Sequence, residues 1–549
     1  MSPMSRRSFL RLGAAAGTGI YASVATGRLG ASGAWAASPS HTAATTPPST
    51  GLRQPGSRPR PDLAAGTDTL PGIEHIVVLM MENHSYDNYF GVLGRGDGLI
   101  VGSDGAPINE CPDGAGRAVR SFHMPTTCQP LHLSMQSWNA SHIELNGGRN
   151  DGFVRSGGGT AAMGYLTPND LPFYTGLART FPLADRWFAS CLGPTHPNRR
   201  FLIAGTAAGL VHNRGAISVE TPPAGGTVFN LLDRFGLTWR DYHVTDSTAG
   251  LYMSAVAAHR ANLVPVEQFF SDAEHGTLPN FCIVDPDFQH SSEESPMDVT
   301  VGEAFAASVI NAVLKSPAWA KTVLIWCYDE HGGYYDHVPP PPSIPPDSIP
   351  AQLVPGDAPG GFDRYGFRVP AVVVSPFARP NYVSHAVHDH TSILKLVETK
   401  WNLPALTYRD ANASNLLDCL DLRTAAFLEP PRLPAPANPG GMSRCPPPIG
   451  RIAAGNNRVL SATTVAPPTR PVDHVHTGVM DSDGIELVTA AAVLGATAAT
   501  AVVGRTRLLR VATGIHGGRA GRRAADARAP ESDEDGVAPG AASGQPVES

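Results

Sequence analysis

Two stretches of this chain share one design. In Ile73–Gly91, IEHIVVLMMENHSYDNYFG, an apolar run from Ile76 to Met81 stops abruptly at Glu82-Asn83. In 323–338, VLIWCYDEHGGYYDHV, the run Val323 to Tyr328 stops at Asp329-Glu330-His331 and two glycines. A short apolar run with β-branched residues and a polar boundary reads as a buried strand. In open α/β sheets, ligands sit just beyond the carboxyl ends of strands. Glu82, Asn83, Asp329 and Glu330 therefore stand where a site belongs, and all offer hard oxygen atoms. Either pair alone could be a solvated strand end. Together they predict one oxygen-ligated divalent cation, Ca²⁺, Mg²⁺ or Mn²⁺ rather than zinc.

The rest of the body alternates in the same way. Thr227 to Phe235 reads as a helix, then Leu237 to His243 and Asn280 to Asp285 as strands. Gly302 to Leu314 carries Phe305, Val309, Ile310, Val313 and Leu314 on one helical face. Arg368 to Ser375 is a further buried strand, and Thr391 to Trp401 an amphipathic helix with Thr391 as its N-cap. This alternation predicts an α/β fold: a mostly parallel sheet covered by helices on both faces. One catalytic domain over 71–428 is long enough to bury a sizeable core.

The ends differ in composition. Residues 1–36 carry Arg6-Arg7, Phe9-Leu10, a mild apolar stretch and the small-residue site Ala34-Trp35-Ala36. This pattern predicts a twin-arginine signal and export by the Tat machinery to the cell envelope or the medium. Residues 37–70 and 429–484 are rich in Pro, Ser, Thr and Gly and are expected to be linkers, the first of them disordered. Residues 485–504 contain the uncharged Leu487 to Gly504, a candidate C-terminal membrane segment, with an Ala-rich tail as the alternative. Arg505, Arg507 and Arg510 follow it, opening a tail over 505–549 that is basic and then disordered, and their placement agrees with the positive-inside rule.

A net charge of −7 argues against a nucleic-acid partner. Seven cysteines leave at least one unpaired within the chain. Cys282 and Cys327 lie in strand-like runs and read as buried thiols. Cys111 with Cys128, and Cys419 with Cys445, are the candidate pairs. Cys191 carries no signal of a thiolate.

Between the two acidic segments lies CLGPTHPNRRFLIAGTAAG. Pro197 suits a first helical turn, so Thr195 falls at a helix N-terminus with a helix running from Asn198. The N–H groups and dipole there favour an anion such as phosphate. A hydroxyl becomes a nucleophile once a metal or base activates it. On local sequence alone, a simple N-cap is the stronger reading.

ENHSYDNYFG, GPTHPNR and DEHGGYYDHVPPP, in this order, change that balance. Together they resemble the bacterial and plant phosphoesterase family, which holds phosphatidylcholine-type phospholipases C and respiratory-burst-inhibiting acid phosphatases. The resemblance covers about Gly72 to Leu403. It implies an alkaline-phosphatase-like α/β fold with metal and nucleophile at the strand ends. It implies Glu82, Asn83, Asp329 and Glu330 as metal ligands and Thr195 as nucleophile and ligand. It implies active-site histidines in PLHLSMQSWNASHIELNGGRNDGFV and VDPDFQHSSEESPMDVTVGEAF: His132 first and His142 second in the former, His290 in the latter. Threonine at the nucleophile position is similar to the phospholipase branch, serine to the acid phosphatases.

The expected function is thus a metal-dependent phospholipase C acting on phosphatidylcholine-type lipids, with membrane contact through its substrate. The alternatives are an acid phosphatase acting on phosphomonoesters and an inactive membrane-attached binding protein. A choline group would bind aromatic faces, and Trp138, Tyr165, Tyr174, Trp187 and Phe188 lie in the right region, although such residues are more often core. His75, His331, His337, Asp87 and Asp336 are expected to be structural hydrogen-bonders, and His388 and His390 to cap a helix or line the pocket.

Overall fold

The computed structural model describes residues 51–129, 136–213 and 222–445. The signal sequence, His132, the 487–504 segment and the basic tail lie outside the described residues. Among the described residues no helix is long and apolar enough to cross a membrane.

Eight strands form the main sheet: β1 (His75–Met81), β2 (Leu183–Ala184), β3 (Trp239–His243), β4 (Leu263–Pro265), β5 (Phe281–Val284), β6 (Thr322–Tyr328), β7 (Ala371–Val374) and β8 (Val383–Ser384). Their spatial order is β8-β2-β7-β6-β1-β5-β3-β4. Only β7 runs against its neighbours; every other adjacent pair is parallel. The expected mostly parallel sheet is therefore present, with one reversed strand.

Successive side chains on a strand point to opposite faces. All seven residues of β6 and the last six of β1 are buried, so both faces of the sheet centre are covered. The helix Val299–Lys315 packs against both of these strands. The helices expected around 227–235 and 391–401 run Val228–Arg234 and Thr391–Trp401. Thr227 caps the N-terminus of the former with a capping box. The latter starts after His390, so Thr391 is a helical residue rather than the cap.

Register sets the site. β1 and β6 pair from His75 with Thr322 through Met81 with Tyr328, residue for residue. The two acidic segments, Glu82-Asn83 and Asp329-Glu330, consequently leave the sheet side by side at its carboxyl edge. On the other side of β1, strand β5 ends at Val284, and Asp285 follows at the same edge.

Two expectations from composition are corrected. Residues 51–70 are tied to the domain by hydrogen bonds to its far end: Gly56 N–H to Ala405 O at 2.7 Å, Thr69 N–H to Lys400 O at 2.7 Å, and Arg60 N–H to Asn402 Oδ1 at 2.9 Å. Residues 429–445 also pack on it. Ala437 N–H donates to Glu303 Oε2 at 2.8 Å, and a disulfide joins Cys445 to Cys128. That pairing replaces the two expected ones: Cys111 and Cys419 are buried free thiols, as are Cys191, Cys282 and Cys327.

Candidate active site

Beyond β1 the chain turns sharply. Asn83 has φ +70°, a left-handed conformation that asparagine tolerates better than most residues. Gly332, with φ +66°, packs its backbone on that turn; a Cβ there would stand 2.0 Å from Asn83 O. The glycine after Asp329-Glu330-His331 is thus what lets the two strand-end turns touch. Asn83 N–H donates to Asp329 Oδ1 at 3.3 Å, and Gly332 N–H to Glu330 Oε2 at 2.7 Å.

Glu82, Asn83, Asp329 and Glu330 are all buried. The Asn83 side-chain oxygen stands 3.1 Å from Asp329 Oδ1 and in closer contact with Glu330 Oε1. Glu82 Oε2 is buried with no hydrogen-bond partner. Turning the Asn83 amide over would relieve the first contacts, but not the orphaned Glu82 oxygen. The orphaned Glu82 oxygen and the facing Asn83, Asp329 and Glu330 oxygens are hard donors of the type a divalent cation takes, so the chemistry of the donor set fits such an ion. Burial, then neighbouring carboxylates, pushes the Glu82 and Glu330 carboxyls well up from their ordinary range.

Thr195 begins the helix Thr195–Ala204. The N-cap is Pro194, and no side-chain bond caps this helix, so Thr195 does not serve as its cap. Its loop is fixed from within the helix. Asn198 Oδ1 accepts Cys191 N–H at 3.0 Å, and Asn198 Nδ2 donates to Gly193 O at 2.8 Å. Arg199, fully buried, then reaches the strand ends. Its Nε donates to Asp329 Oδ2 and its Nη1 to Asp285 Oδ1, each at 3.1 Å. Its Nη2 donates to Met80 O and Met81 O at 3.1 and 3.2 Å.

These elements wall a cavity of about 430 Å³ whose lining includes Glu82, Thr195 and Arg199. The remaining lining mixes apolar side chains, Leu251, Met253, Leu263 and Phe288, with polar ones, His243, Asp246 and Thr248 among them. His196 is also on the wall; burial drops its imidazole to about 4, and its Nδ1 has no partner. It is a neutral base at neutral pH.

Other candidates lie elsewhere. His290 is 73% exposed, is paired with Asp287 Oδ2 at 2.8 Å, and is not among the residues lining the cavity. His142 bonds Trp138 O. Trp138, Tyr174, Trp187 and Phe188 are fully buried and Tyr165 nearly so; none lines the cavity, whose aromatic residue is Phe288. His331 pairs with Glu144 at 2.6 Å, and His337 with Asp87 at 2.7 Å. Asp336 holds Arg368 at 2.8 Å, His75 bonds Pro279 O, and His388 bonds Ser384 Oγ. His390 Nε2 bonds Asp329 O at 2.7 Å.

Sequence reasoning passed over Arg199, Asp285 and Glu294, of which the last lines the cavity too. Asp285 carried a readable signal, since FCIVD ends an apolar run on an acid as β1 and β6 do.

The model of the phosphoesterase family matches residues 73–404. The chain belongs to the phosphoesterase family. It is a phosphoric ester hydrolase. This phosphoesterase is 31% identical over 430 residues to phospholipase C B of Mycobacterium tuberculosis, covering 67% of this chain and 81% of that one. It is 30% identical over 397 residues to non-specific phospholipase C5 of Arabidopsis thaliana, covering 63% and 73%. A solved structure of a protein in the alkaline phosphatase superfamily from Vibrio parahaemolyticus overlaps it with a TM-score of 0.35 at 11% identity, covering 68% and 75%.

Proposed function

We propose that this phosphoesterase is a metal-dependent phospholipase C that cleaves phosphatidylcholine-type lipids to diacylglycerol and a phosphoalcohol, with Thr195 as nucleophile. One observation carries the reading. Thr195, free of any capping role, opens a helix on the wall of the same cavity as the orphaned Glu82 carboxylate. The names of the relatives support the phosphodiester lipid as substrate, and the apolar residues of the lining suit its acylglycerol portion.

Glu82, Asn83, Asp329 and Glu330, with the Thr195 hydroxyl, would hold one Ca²⁺, Mg²⁺ or Mn²⁺ ion. When bound, that ion lowers the pKa of a coordinated hydroxyl and offsets charge on phosphoryl oxygens. Thr195 Oγ1 attacks phosphorus in line, and the bond to the glycerol oxygen breaks. The departing alkoxide takes a proton, a role that fits His132. The phosphoalcohol remains esterified to Thr195 until water displaces it. His196, held neutral and on the lining of the same cavity, would accept a proton from that water. His290 stays in the proposal only if its loop moves inward.

The N-terminal arginine pair supports export through the Tat machinery to the cell envelope or medium. The Cys128–Cys445 disulfide suits such an oxidising destination. The test is a quenched-flow trap: rapid acid quench with phosphatidylcholine, then peptide mass analysis. A phosphocholine adduct on the Thr195 peptide is expected. An adduct on another residue, or steady turnover with none, would remove Thr195 from its role.

A further inference from the structure

Single apolar side chains on a surface are ordinary, but adjacent ones held away from the core by a braced loop are not. Gln352 to Gly356 are all exposed, and within them Leu353 is 39% and Val354 55% exposed. The loop that carries them is stiff. Seven prolines between Val338 and Ala351 restrict its approach. Gln352 N–H donates to Gly209 O at 2.8 Å, and Val354 N–H to Asp357 Oδ2 at 2.8 Å. Asp357 in turn pairs with His212 Nε2 at 2.9 Å. The next residue, Asn213, lines the cavity with Thr195. The exposed pair is thus fixed to the segment that forms one wall of the candidate active site.

The helix Trp138–Leu145 extends this surface. Its Asn139 Oδ1 accepts Ala358 N–H at 2.7 Å, and one turn on, Ile143 is 46% exposed. Ile143 and Ala358 line a groove of about 440 Å³ with Arg149 and Arg155. Those two cations share one anion, Asp151, at 3.6 and 3.1 Å. The Asp357 carboxylate is buried and turned inward to Asn139, His212 and Val354 N–H, and the exposed Asp363 is offset by Arg364 beside it. Arg149, with two-thirds of its side chain exposed, is the charge this groove presents to solvent. Apolar side chains beside an exposed cation match a phospholipid surface, where an acyl boundary lies under a layer of phosphates.

We propose that this rim docks the enzyme on a phospholipid surface, with Leu353 and Val354 in the acyl boundary and Arg149 at the level of the phosphates. This rests on the phospholipase reading above. A lipid substrate is held in its aggregate by its own apolar surface, so a site that takes one gains from lying against that aggregate.

Among the described residues every free thiol is buried, so Val354→Cys in the full chain can carry an environment-sensitive fluorophore. Leu428→Cys carries the same probe at the opposite edge of the sheet. Leu428 is 54% exposed and follows Phe427, whose carbonyl accepts Trp319 Nε1 just ahead of β6. Vesicles of phosphatidylcholine and phosphatidylglycerol should shift the emission at position 354 to the blue and leave that at 428 unchanged. Leu353→Asp combined with Val354→Asp should lower hydrolysis of vesicle phosphatidylcholine roughly tenfold or more. The same variant should hydrolyse dibutanoyl phosphatidylcholine, dissolved as monomer, at the wild-type rate. No shift at 354, equal shifts at both positions, or equal loss on both substrates would overturn the assignment. A double variant that turns a dimer into a monomer with vesicle hydrolysis intact would overturn it in favour of an interface between two copies. Wild-type protein that cleaves neither lipid would overturn the phospholipase reading itself, while the probe at 354 still reports docking.

Discussion

Arg199 Nε donates to Asp329 Oδ2 at 3.1 Å, and this bond joins the helix that begins at Thr195 to the strand end that carries the acidic pair. The same guanidinium holds Asp285 and two carbonyls at the end of β1. The proposed nucleophile and the proposed ligand Asp329 are therefore positioned by one buried cation. The relation resembles an outer-sphere partner in a metal site, which fixes the orientation of a ligand without touching the ion.

Replacing that guanidinium separates positioning from chemistry. Arg199→Met leaves Asp285 and Asp329 buried without a counter-charge and should cost about 3–5 kcal/mol of stability. Arg199→Lys keeps the charge but loses the fork, and should weaken metal affinity by roughly 10–100-fold. Chemical denaturation and metal titration of the two variants check both figures. Unchanged metal affinity in Arg199→Lys would mean that Asp329 needs no such support.

Gly332→Ala places a Cβ against Asn83 O at a backbone φ of +66°. The two strand-end turns must then separate. Lower thermal stability and weaker metal binding are expected together, because the same contact sets both. A variant with lower stability and intact metal binding would show that the turns are not coupled.

Stability should also depend on pH through Glu293. Burial, partly offset by its three tyrosine hydroxyls, pushes its carboxyl up to about 8. A folded-state value above the unfolded one means the folded protein holds the proton longer. This contribution is fully present below about pH 4.5 and is lost as pH rises through about 8. Thermal unfolding across pH 5 to 9 should show a decline that Glu293→Gln flattens. An identical slope in the variant would assign the decline to other groups.

Chelation tests the oxygen cluster. Treatment with a divalent chelator should abolish turnover, and Ca²⁺, Mg²⁺ or Mn²⁺ should restore it in the wild type. Asp329→Asn should not be restored, since it removes the charge of a proposed ligand and of one of the two carboxylates that Arg199 pairs with. Full activity in the chelated wild type would remove the metal from the account.

Much of this was readable in the residues, and the exceptions have physical causes. β1 and β6 were legible because an apolar run ending on an acid has few other meanings. β5 ends in the same way at Asp285, yet a single acid after a strand carries less weight than a pair. Arg199 was hidden because a helical arginine is normally solvated, and only the tertiary fold shows it pointing inward. Glu294 lies on a loop, where no periodicity marks which side chain faces a cavity. The Cys128–Cys445 pair joins residues 317 apart, and spacing does not encode such a contact. Composition rightly denied 51–70 a core of its own, but backbone hydrogen bonds to another segment leave no trace in composition.

The most direct measurement is product analysis with phosphatidylcholine and divalent metal, using the full chain and Thr195→Ala as its blank. Diacylglycerol and phosphocholine from the wild type, with neither from a folded Thr195→Ala protein, is the predicted result. Intact lipid, in a preparation that still hydrolyses a simple aryl phosphate, would contradict it and identify a phosphomonoesterase on this scaffold.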